Sequence, residues 1–591
     1  MTYPSLREFV DALDAAGELH RVAAPVSSML EVTEIAGRVS KSPAARVSEH
    51  AKAFDPRFAH LGGKALLFEN VQTPEGRAGM PLLINAFGSY RRMEMALGCT
   101  DGGFESLADR VASLVKPEPP TRLLDKVKKG LELAKVASLP PKVVRSGPCQ
   151  EVVKTGDEVN LFDLPIIQCW PDDGDPRKCG YAVSPEQAGT AEGKGRYITL
   201  AGMYTIAPDD AGKPDGEPRP SRNVGMYRAQ LIDRNHTAMH WHVHHDGAAH
   251  WRAWKRHNEE RGDPSGGMPL AIVLGGESVL PYAATAPLPP GISELIFAGF
   301  LNQGAIRLVK CRTVDLHVPA NAEIVIEGYV STEAGGPGMT NDEIRMTKQR
   351  AEAAGQDVSS FDIRHSSFAG GFDGAVFEGP FGDHTGFYSL PDRYPVFTVT
   401  AVTHRRDPLY PTTIVGRPPQ EDYYLGKATE RVFLPLLKTL VPDILDYDLP
   451  MFGCFHNCAF IRIRKQYPLH ARKVMHAVWG AGQMAWTKAI VVVDEDVDVH
   501  DHDAVLFHLL ANADPGRDIE LVHGPLDILD HAAPRLGAGT KIGLDATRKL
   551  PGEEVNGQPV RDYPNLLAMS DEIRQRVTQR WAEYDLPPEA S

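Results

Sequence analysis

Apolar positions recur at helical spacing from the start of the chain: Leu6, Phe9, Val10 and Leu13 share a face, Ser5 and Glu8 stand in capping-box relation, and Gly17 ends the run. An amphipathic helix is predicted there. Two apolar runs, 65–68 and 81–87, have the composition of buried strands, and residues 123–137 show a second helical pattern before Pro140 and Pro141. Together they predict a mixed α/β domain over residues 1–145. From Val152 to Arg405 the pattern changes to short β-rich runs, among them 197–206, 271–274, 306–309 and 396–403, separated by Gly, Pro and Asp. A β-rich middle domain with barrel character is expected over 146–405. Within it, two polar stretches, 208–222 and 331–374, have the composition of surface insertions, the second with a helical pattern at 342–354. The apolar run 489–493 followed by a helical pattern at 504–510 marks a β-α unit, and a third, α/β domain is expected over 406–560. In the tail, 561–591, Ser570 is placed to cap a helix carrying Ile573, Val577 and Trp581 on one face, a lone stripe suited to a neighbouring domain or subunit.

Composition narrows the class. At 591 residues the chain exceeds what one core serves, and 42% apolar with 24% charged residues is ordinary for a soluble protein. No apolar stretch reaches the length of a membrane span, and no basic segment followed by an apolar run opens the chain. Seven scattered cysteines fit reduced thiols, so a cytoplasmic location is expected. With 63 basic against 77 acidic residues, the formal charge of -14 argues against a nucleic-acid partner.

Four clusters carry candidate chemistry. The densest is His240-Trp241-His242-Val243-His244-His245-Asp246. On a strand, His240, His242 and His244 would share a face, where three imidazoles call for a metal or an anionic ligand, or else form a hydrogen-bonded cluster. Alone, this run has something of the His-x-His-x-Asp-His pattern of zinc hydrolases, with His in place of the Asp and no second ligand set. A second cluster, Phe377 to Gly386, sets Glu378 and Asp383 on a Gly/Pro-shaped loop that lets them converge on one pocket; otherwise they are two acids on a solvated turn. The third is Asn223-Val224-Gly225-Met226-Tyr227-Arg228, and the fourth is Glu327 within the apolar run 323–329, where a buried carboxylate needs a cation or donor. Cys454-x-x-x-Cys458, enclosing His456, lacks a second pair, and Gly537 to Lys541 lacks phosphate-loop spacing. Neither is given a catalytic role.

In order, the segments Leu67-Phe68-Glu69-Asn70, Cys169-Trp170-Pro171, 223–228, 323–329, 378–386, Gly416-Arg417-Pro418-Pro419 and 492–496 resemble the UbiD family of reversible decarboxylases, over nearly the whole chain. The resemblance implies an N-terminal α/β domain, a central split β-barrel related to flavin reductases, and a C-terminal α/β domain. It implies a carboxy-lyase that uses prenylated FMN, supplied by a flavin prenyltransferase, with Mn2+ or Mg2+ and a monovalent cation such as K+. Asn223, His244 and Glu327 match the metal ligands; Met226, Tyr227, Arg228, His240, Trp241, His242, His245, Asp246 and Lys488 match the flavin site; Arg228, Glu378 and Asp383 match the catalytic arginine and acids. A homo-oligomer, dimer or hexamer, is implied as well. Some quinone-pathway members carry Arg-Trp-Leu and Arg-Gly where this chain has His240-Trp241-His242 and His245-Asp246. The expected substrate is an aromatic acid on the way to a quinone, a polyprenyl-4-hydroxybenzoate or a dihydroxynaphthoate, with a small phenolic acid such as protocatechuate as the alternative. A zinc hydrolase and a non-catalytic ligand sensor on the same fold are the competing readings. Asp383 is expected to deliver a proton to carbon, which requires an upward pKa shift, while Glu378 positions Arg228.

Overall fold

The computed structural model describes residues 2–115, 139–179, 193, 195–242, 245–263, 266–288, 292–333, 375–555 and 558–584. The helical patterns at 123–137 and 342–354, and His244, lie outside these residues. The first helix, α1 (Leu6–Ala15), forms as its spacing predicts: Leu6, Phe9, Val10 and Leu13 are buried, and the Ser5 hydroxyl accepts the Glu8 amide proton at 3.3 Å. It packs near a four-stranded sheet of β1 (Leu19–Val22), β2 (Ala65–Phe68), β3 (Leu82–Ile84) and, from far along the chain, Tyr410–Pro411.

The central domain is a closed antiparallel barrel of six strands: β4 (Tyr197–Thr205), β5 (Asn223–Leu231), β6 (His236–Met239), β7 (Gly267–Leu274), β8 (Ile324–Ser331) and β10 (Asp392–His404). The order is β6-β5-β4-β7-β8-β10, and β10 pairs back to β6. A short strand, β9 (Ala375–Glu378), adds to β10 and leads into the acid loop. Alternation along the strands feeds two cores. Met203, Leu270, Ile272 and Ile326 pack in one, whereas Tyr204, Ala271, Val273 and Val325 join Phe9, Phe87 and Tyr90 of the N-terminal domain in the other. Barrel and N-terminal domain therefore share a hydrophobic core.

The strand Tyr410–Pro411, here β11, and the helix Glu421–Leu440 place the chain back on the N-terminal domain: that helix packs on the helix Gly103–Val115, and Tyr423 donates a hydrogen bond to Asp55 at 2.8 Å. The break expected at residue 405 therefore does not coincide with the strand pairing. The C-terminal sheet follows, with β12 (Ile444–Asp448), β13 (Cys458–Ile463), β14 (Ala489–Val493), β16 (Ala538–Asp545) and the edge strand β15 (Ile519–Pro525) side by side in that order. Ile490 and Val492 pack with the helix His470–Trp479, and Val491 and Val493 with the helix His502–Asn512, so this sheet is covered on both faces. Ser570 caps the last helix, Asp571–Gln579, through the Ile573 amide, and that helix buries none of its residues within the chain. No helix among the described residues is long and apolar enough to cross a membrane.

Candidate active site

Arg228 owes its position to an irregularity in the barrel. Tyr227 pairs with Ala201 and Ala229 with Ile198, so Thr199 and Leu200 together oppose Arg228, and Leu200 takes up the extra residue at φ 51°. Such a bulge re-aims the side chain opposite it. Arg228 reaches the acid loop after β9: Nε donates to Glu378 Oε1 at 2.6 Å, Nη1 to Asp383 Oδ2 at 2.5 Å, and Nη2 to Glu378 Oε2 and Ser389 Oγ, both at 3.2 Å. Phe381 lies under the guanidinium, 4.4 Å from ring centroid to Cζ. The loop takes this shape because Gly379 adopts φ 89°, a region that disfavours any side chain, and because Trp170 packs flat on Gly382, where a Cβ would come within 2.0 Å of its ring. Trp170 is held by its own indole N–H to Val415 O at 3.0 Å, and Asp173 accepts the amides of Gly382 and Trp170. This gives the Cys169-Trp170-Pro171 and Gly416 segments a physical role in shaping the acid loop.

The two carboxylates converge as their loop predicted, on a common cation. Burial pushes Glu378 up, but Arg228 and the His240 ring, whose Nδ1 is 3.1 Å away, outweigh it and hold the carboxyl at about 2. For Asp383 burial again acts upward, and the hydrogen bond from His384 together with the charge of Arg228 overrides it, leaving the acid well below the usual carboxylate range. The upward shift expected for Asp383 is thus reversed in this state. His384 is the reason: its backbone N–H and ring Nδ1 contact Asp383 Oδ1 at 2.8 and 2.9 Å. His384 in turn is raised to about 9, against burial, chiefly by Asp383.

The histidine run does not continue the strand. β6 ends at Met239, and His240 to His242 form a loop before the helix Asp246–Glu260, with His240 Nε2 at 2.8 Å from His242 Nε2 and His245 stacked on His242. Among the described residues this run forms no three-ligand group. Tyr227 lies between Trp241 and His245, and the buried Trp241 N–H has no acceptor. The Met226 amide donates to Ala284 O at 3.1 Å on the same open edge of β5 where the Val224 amide donates to Glu294 Oε2 at 3.0 Å.

That second contact relocates the metal-ligand question. Glu294 starts the helix Glu294–Asn302 and is pushed up to about 7 by burial and by the charge of Asp246. Burial, followed by the charges of Asp246 and Glu294, pushes the Tyr227 phenol well up, opposed by a hydrogen bond with the Asn223 side chain. Glu327 stands elsewhere. Val224, Tyr204, Ala271 and Glu327 are successive cross-strand partners, which puts Glu327 three strand spacings, about 14 Å, from Val224 and on the face opposite the Asn223 side chain. Its Oε2 is instead satisfied by the amides of Arg312 and Thr313 at 2.7 and 2.8 Å. The structure therefore does not bring Glu327 together with Asn223; the acid that does meet this strand edge, and that the sequence reading did not single out, is Glu294, in Ser293-Glu294-Leu295. Beside Asn223, the side chains of Arg219, Arg222 and His317 line a common small pocket, and Arg222 makes no ion pair among the described residues. Lys488 lies on the C-terminal domain and is paired with Asp530 at 2.7 Å.

Comparison with known proteins agrees with this architecture. Residues 142–418 match the Rift-related domain of 3-octaprenyl-4-hydroxybenzoate carboxy-lyase, 10–111 its N-terminal domain and 423–546 its C-terminal domain. The chain belongs to the UbiD family. Members of the UbiD family are prenylated-FMN-dependent carboxy-lyases. A protein of Aquifex aeolicus is 41% identical over 582 residues, 98% of each chain, and one of Archaeoglobus fulgidus is 38% identical over 584 residues, 99% of each. The closed form of vanillic acid decarboxylase from Sedimentibacter hydroxybenzoicus superposes with a TM-score of 0.71 at 23% identity, covering 99% of this chain and all of that one. The UbiD-class enzyme HmfF from Pelotomaculum thermopropionicum, in complex with FMN, gives 0.64 at 24% identity over 93% of this chain and 95% of its own. A 3,4-dihydroxybenzoic acid decarboxylase from Enterobacter cloacae gives 0.62 at 18% identity, over 98% of this chain and all of its own.

Proposed function

We propose that this UbiD-family protein removes CO2 without net oxidation from a hydroxylated aromatic acid on the way to a quinone, with Arg228, Glu378 and Asp383 as its working side chains. The observation that carries the reading is the buried arginine clamped by two acids. Prenylated FMN, when bound, supplies the electron sink that an aryl carboxylate lacks, since the electron pair left by CO2 lies in the ring plane. The residues fit such a group. Met226, Tyr227, His240, Trp241, His242 and His245 would hold the flavin, with the acceptor-less Trp241 N–H and the unpaired Arg222 as further points of attachment. Asn223, Asp246 and Glu294 offer amide and carboxylate oxygens, a hard donor set that suits Mn2+ or Mg2+.

Arg228 then meets the substrate carboxylate. Its Nη1 is occupied by Asp383, so an incoming carboxylate competes for that nitrogen. Displaced from Arg228, Asp383 loses one of the two partners that keep it ionised, and burial drives it toward the protonated acid that can donate to carbon. Glu378 keeps its two contacts and holds the guanidinium in place. The two acids thus divide the work.

Support for a quinone precursor comes from the family match to the octaprenyl-hydroxybenzoate carboxy-lyase domains. A second reading, a small phenolic acid, draws on the shared fold with the vanillic and 3,4-dihydroxybenzoic acid decarboxylases. The test is co-expression with a flavin prenyltransferase, followed by flavin absorbance, metal analysis and CO2 release from a panel of both substrate types. A colourless enzyme active with stoichiometric zinc would refute the proposal.

A further inference from the structure

The acid loop continues beyond Asp383. His384 contacts Asp383 through Nδ1 and on its other side places Nε2 2.5 Å from His456 Nε2. His456 belongs to the C-terminal domain, just ahead of β13, and its Nδ1 is buried with no hydrogen-bond partner, 4.0 Å from Asp527 Oδ2 in the loop after β15. Side-chain exposure rises stepwise outward, from 9% at Asp383 to 18% at His384, 23% at His456 and 24% at Asp527. Asp422 and Asp530 also face the two rings, as does Arg228 through Asp383. The junction is closed by Phe387 against His531 at 4.1 Å and Phe455 against His384 at 5.5 Å.

These three side chains could in principle hold a metal ion. The ring nitrogens are too close for that. At Zn–N distances of about 2.05 Å, a 2.5 Å separation would force an N–Zn–N angle of about 75°, far from tetrahedral. It is instead a hydrogen-bonding contact, one ring nitrogen donating to the other.

We infer that Asp527 and His456 form a proton inlet that reloads Asp383 through His384, complete only when the C-terminal domain is seated on the barrel. The inference rests on the reading of Asp383 as the acid. Decarboxylation takes up one proton per turnover: ArCOO− and H+ give ArH and CO2, with the electron pair of the broken C–C bond ending in the new C–H bond. Asp383 is buried and must regain that proton. The Nδ1 proton of the His384 imidazolium passes to Asp383 Oδ1 as the acid is freed from Arg228, leaving a neutral ring; rotation turns its protonated nitrogen back to Asp383 and its bare nitrogen to His456, which delivers the proton on Nε2 as another enters at Nδ1. One proton has entered and one has arrived, His384 is again an imidazolium, and His456 is left in the opposite tautomer, which ring rotation resets.

The test is His456→Ala in the flavin-loaded enzyme, with His456→Gln as the second variant should the first fail to fold. The expected result is a fall in kcat of at least about tenfold with KM unchanged, a larger solvent isotope effect, unchanged flavin content, and recovery on adding imidazole, which does not accelerate the wild type. A smaller loss is expected for Asp527→Asn. Unchanged kcat and isotope effect, or a loss that imidazole does not restore in either variant, overturns the inlet. Normal turnover of Asp383→Asn would remove the underlying reading instead; an inactive Asp383→Asn beside an unaffected His456→Ala would remove the inlet alone.

Discussion

Replacing Asp383 by Asn keeps the shape of the side chain and removes its charge and its proton. The structure gives the size of one consequence. His384 is raised from 6.5 to about 9, opposed by burial and driven first by its hydrogen bond to Asp383, and that interval equals about 3 kcal/mol of preference for the imidazolium. Without the carboxylate, burial acts against only the more distant Asp527 and Asp422, so His384 in Asp383→Asn should titrate at or below 6.5. The folded protein holds this proton more tightly than the unfolded chain. The associated stability is therefore complete below about pH 6.5 and is lost as pH rises through about 9, a dependence that the variant should lack. Decarboxylation should fall by roughly 100- to 10,000-fold, the usual cost of losing a positioned general acid, with flavin and metal content unchanged. Proton NMR of the His384 ring, stopped-assay CO2 release and deuterium incorporation into product measure the three effects. Near-normal turnover would take Asp383 out of the chemistry, and an unmoved His384 midpoint would refute the ion pair itself.

Other changes separate the remaining roles. Glu294→Gln should lower metal occupancy and flavin retention on elemental and spectral analysis, whereas Glu327→Gln, on the opposite face, should leave both intact; the reverse pattern would restore Glu327 as the ligand. Glu378→Gln leaves the buried Arg228 with one acid, so it should cost about 3 kcal/mol in denaturant unfolding and lower kcat/KM. Since Glu378 is held at about 2, its contribution is present above the ordinary 4.5 and is lost as pH falls through about 2. Deleting residues 561–591 should shift the protein to a smaller oligomer in sedimentation, because Ile573, Val577 and Trp581 are only half-buried within the chain.

Much of the architecture was legible because periodicity reports burial. The β-rich runs 197–206 and 271–274, and the apolar run 489–493, are consequences of strands buried on both faces, and each fell in a strand. The Gly/Pro loop between Glu378 and Asp383 likewise announced a tight turn. What spacing does not report is which distant segment completes a sheet. Tyr410–Pro411 is a two-residue strand, too short for any period, yet it returns the chain to the N-terminal domain and carries the helix Glu421–Leu440 with it.

The site was legible in proportion to how local it is. Arg228, Glu378 and Asp383 were found because their segments carry distinctive residue orders, but the sign of the Asp383 shift was missed because the deciding partner, His384, is its immediate neighbour and was read only as a loop residue. Glu327 and Glu294 show the same limit in another form. Both are acids beside apolar runs, and only strand register, with Val224, Tyr204, Ala271 and Glu327 in one row, shows that the first faces away from Asn223 while the second meets the free edge of β5. His456 is the extreme case: the enclosing Cys454 and Cys458 lack a second pair and pointed to no role, and its contact with His384 exists only through the packing of the C-terminal domain against the acid loop. On the proposed mechanism the chemistry at Asp383 depends on two kinds of residue, those that build the niche within the barrel and those that a second domain brings to it. For the second kind the physical criterion is domain docking, so any variant that loosens the junction, such as Phe387→Ala at its contact with His531, should slow proton uptake while leaving the Arg228 clamp assembled.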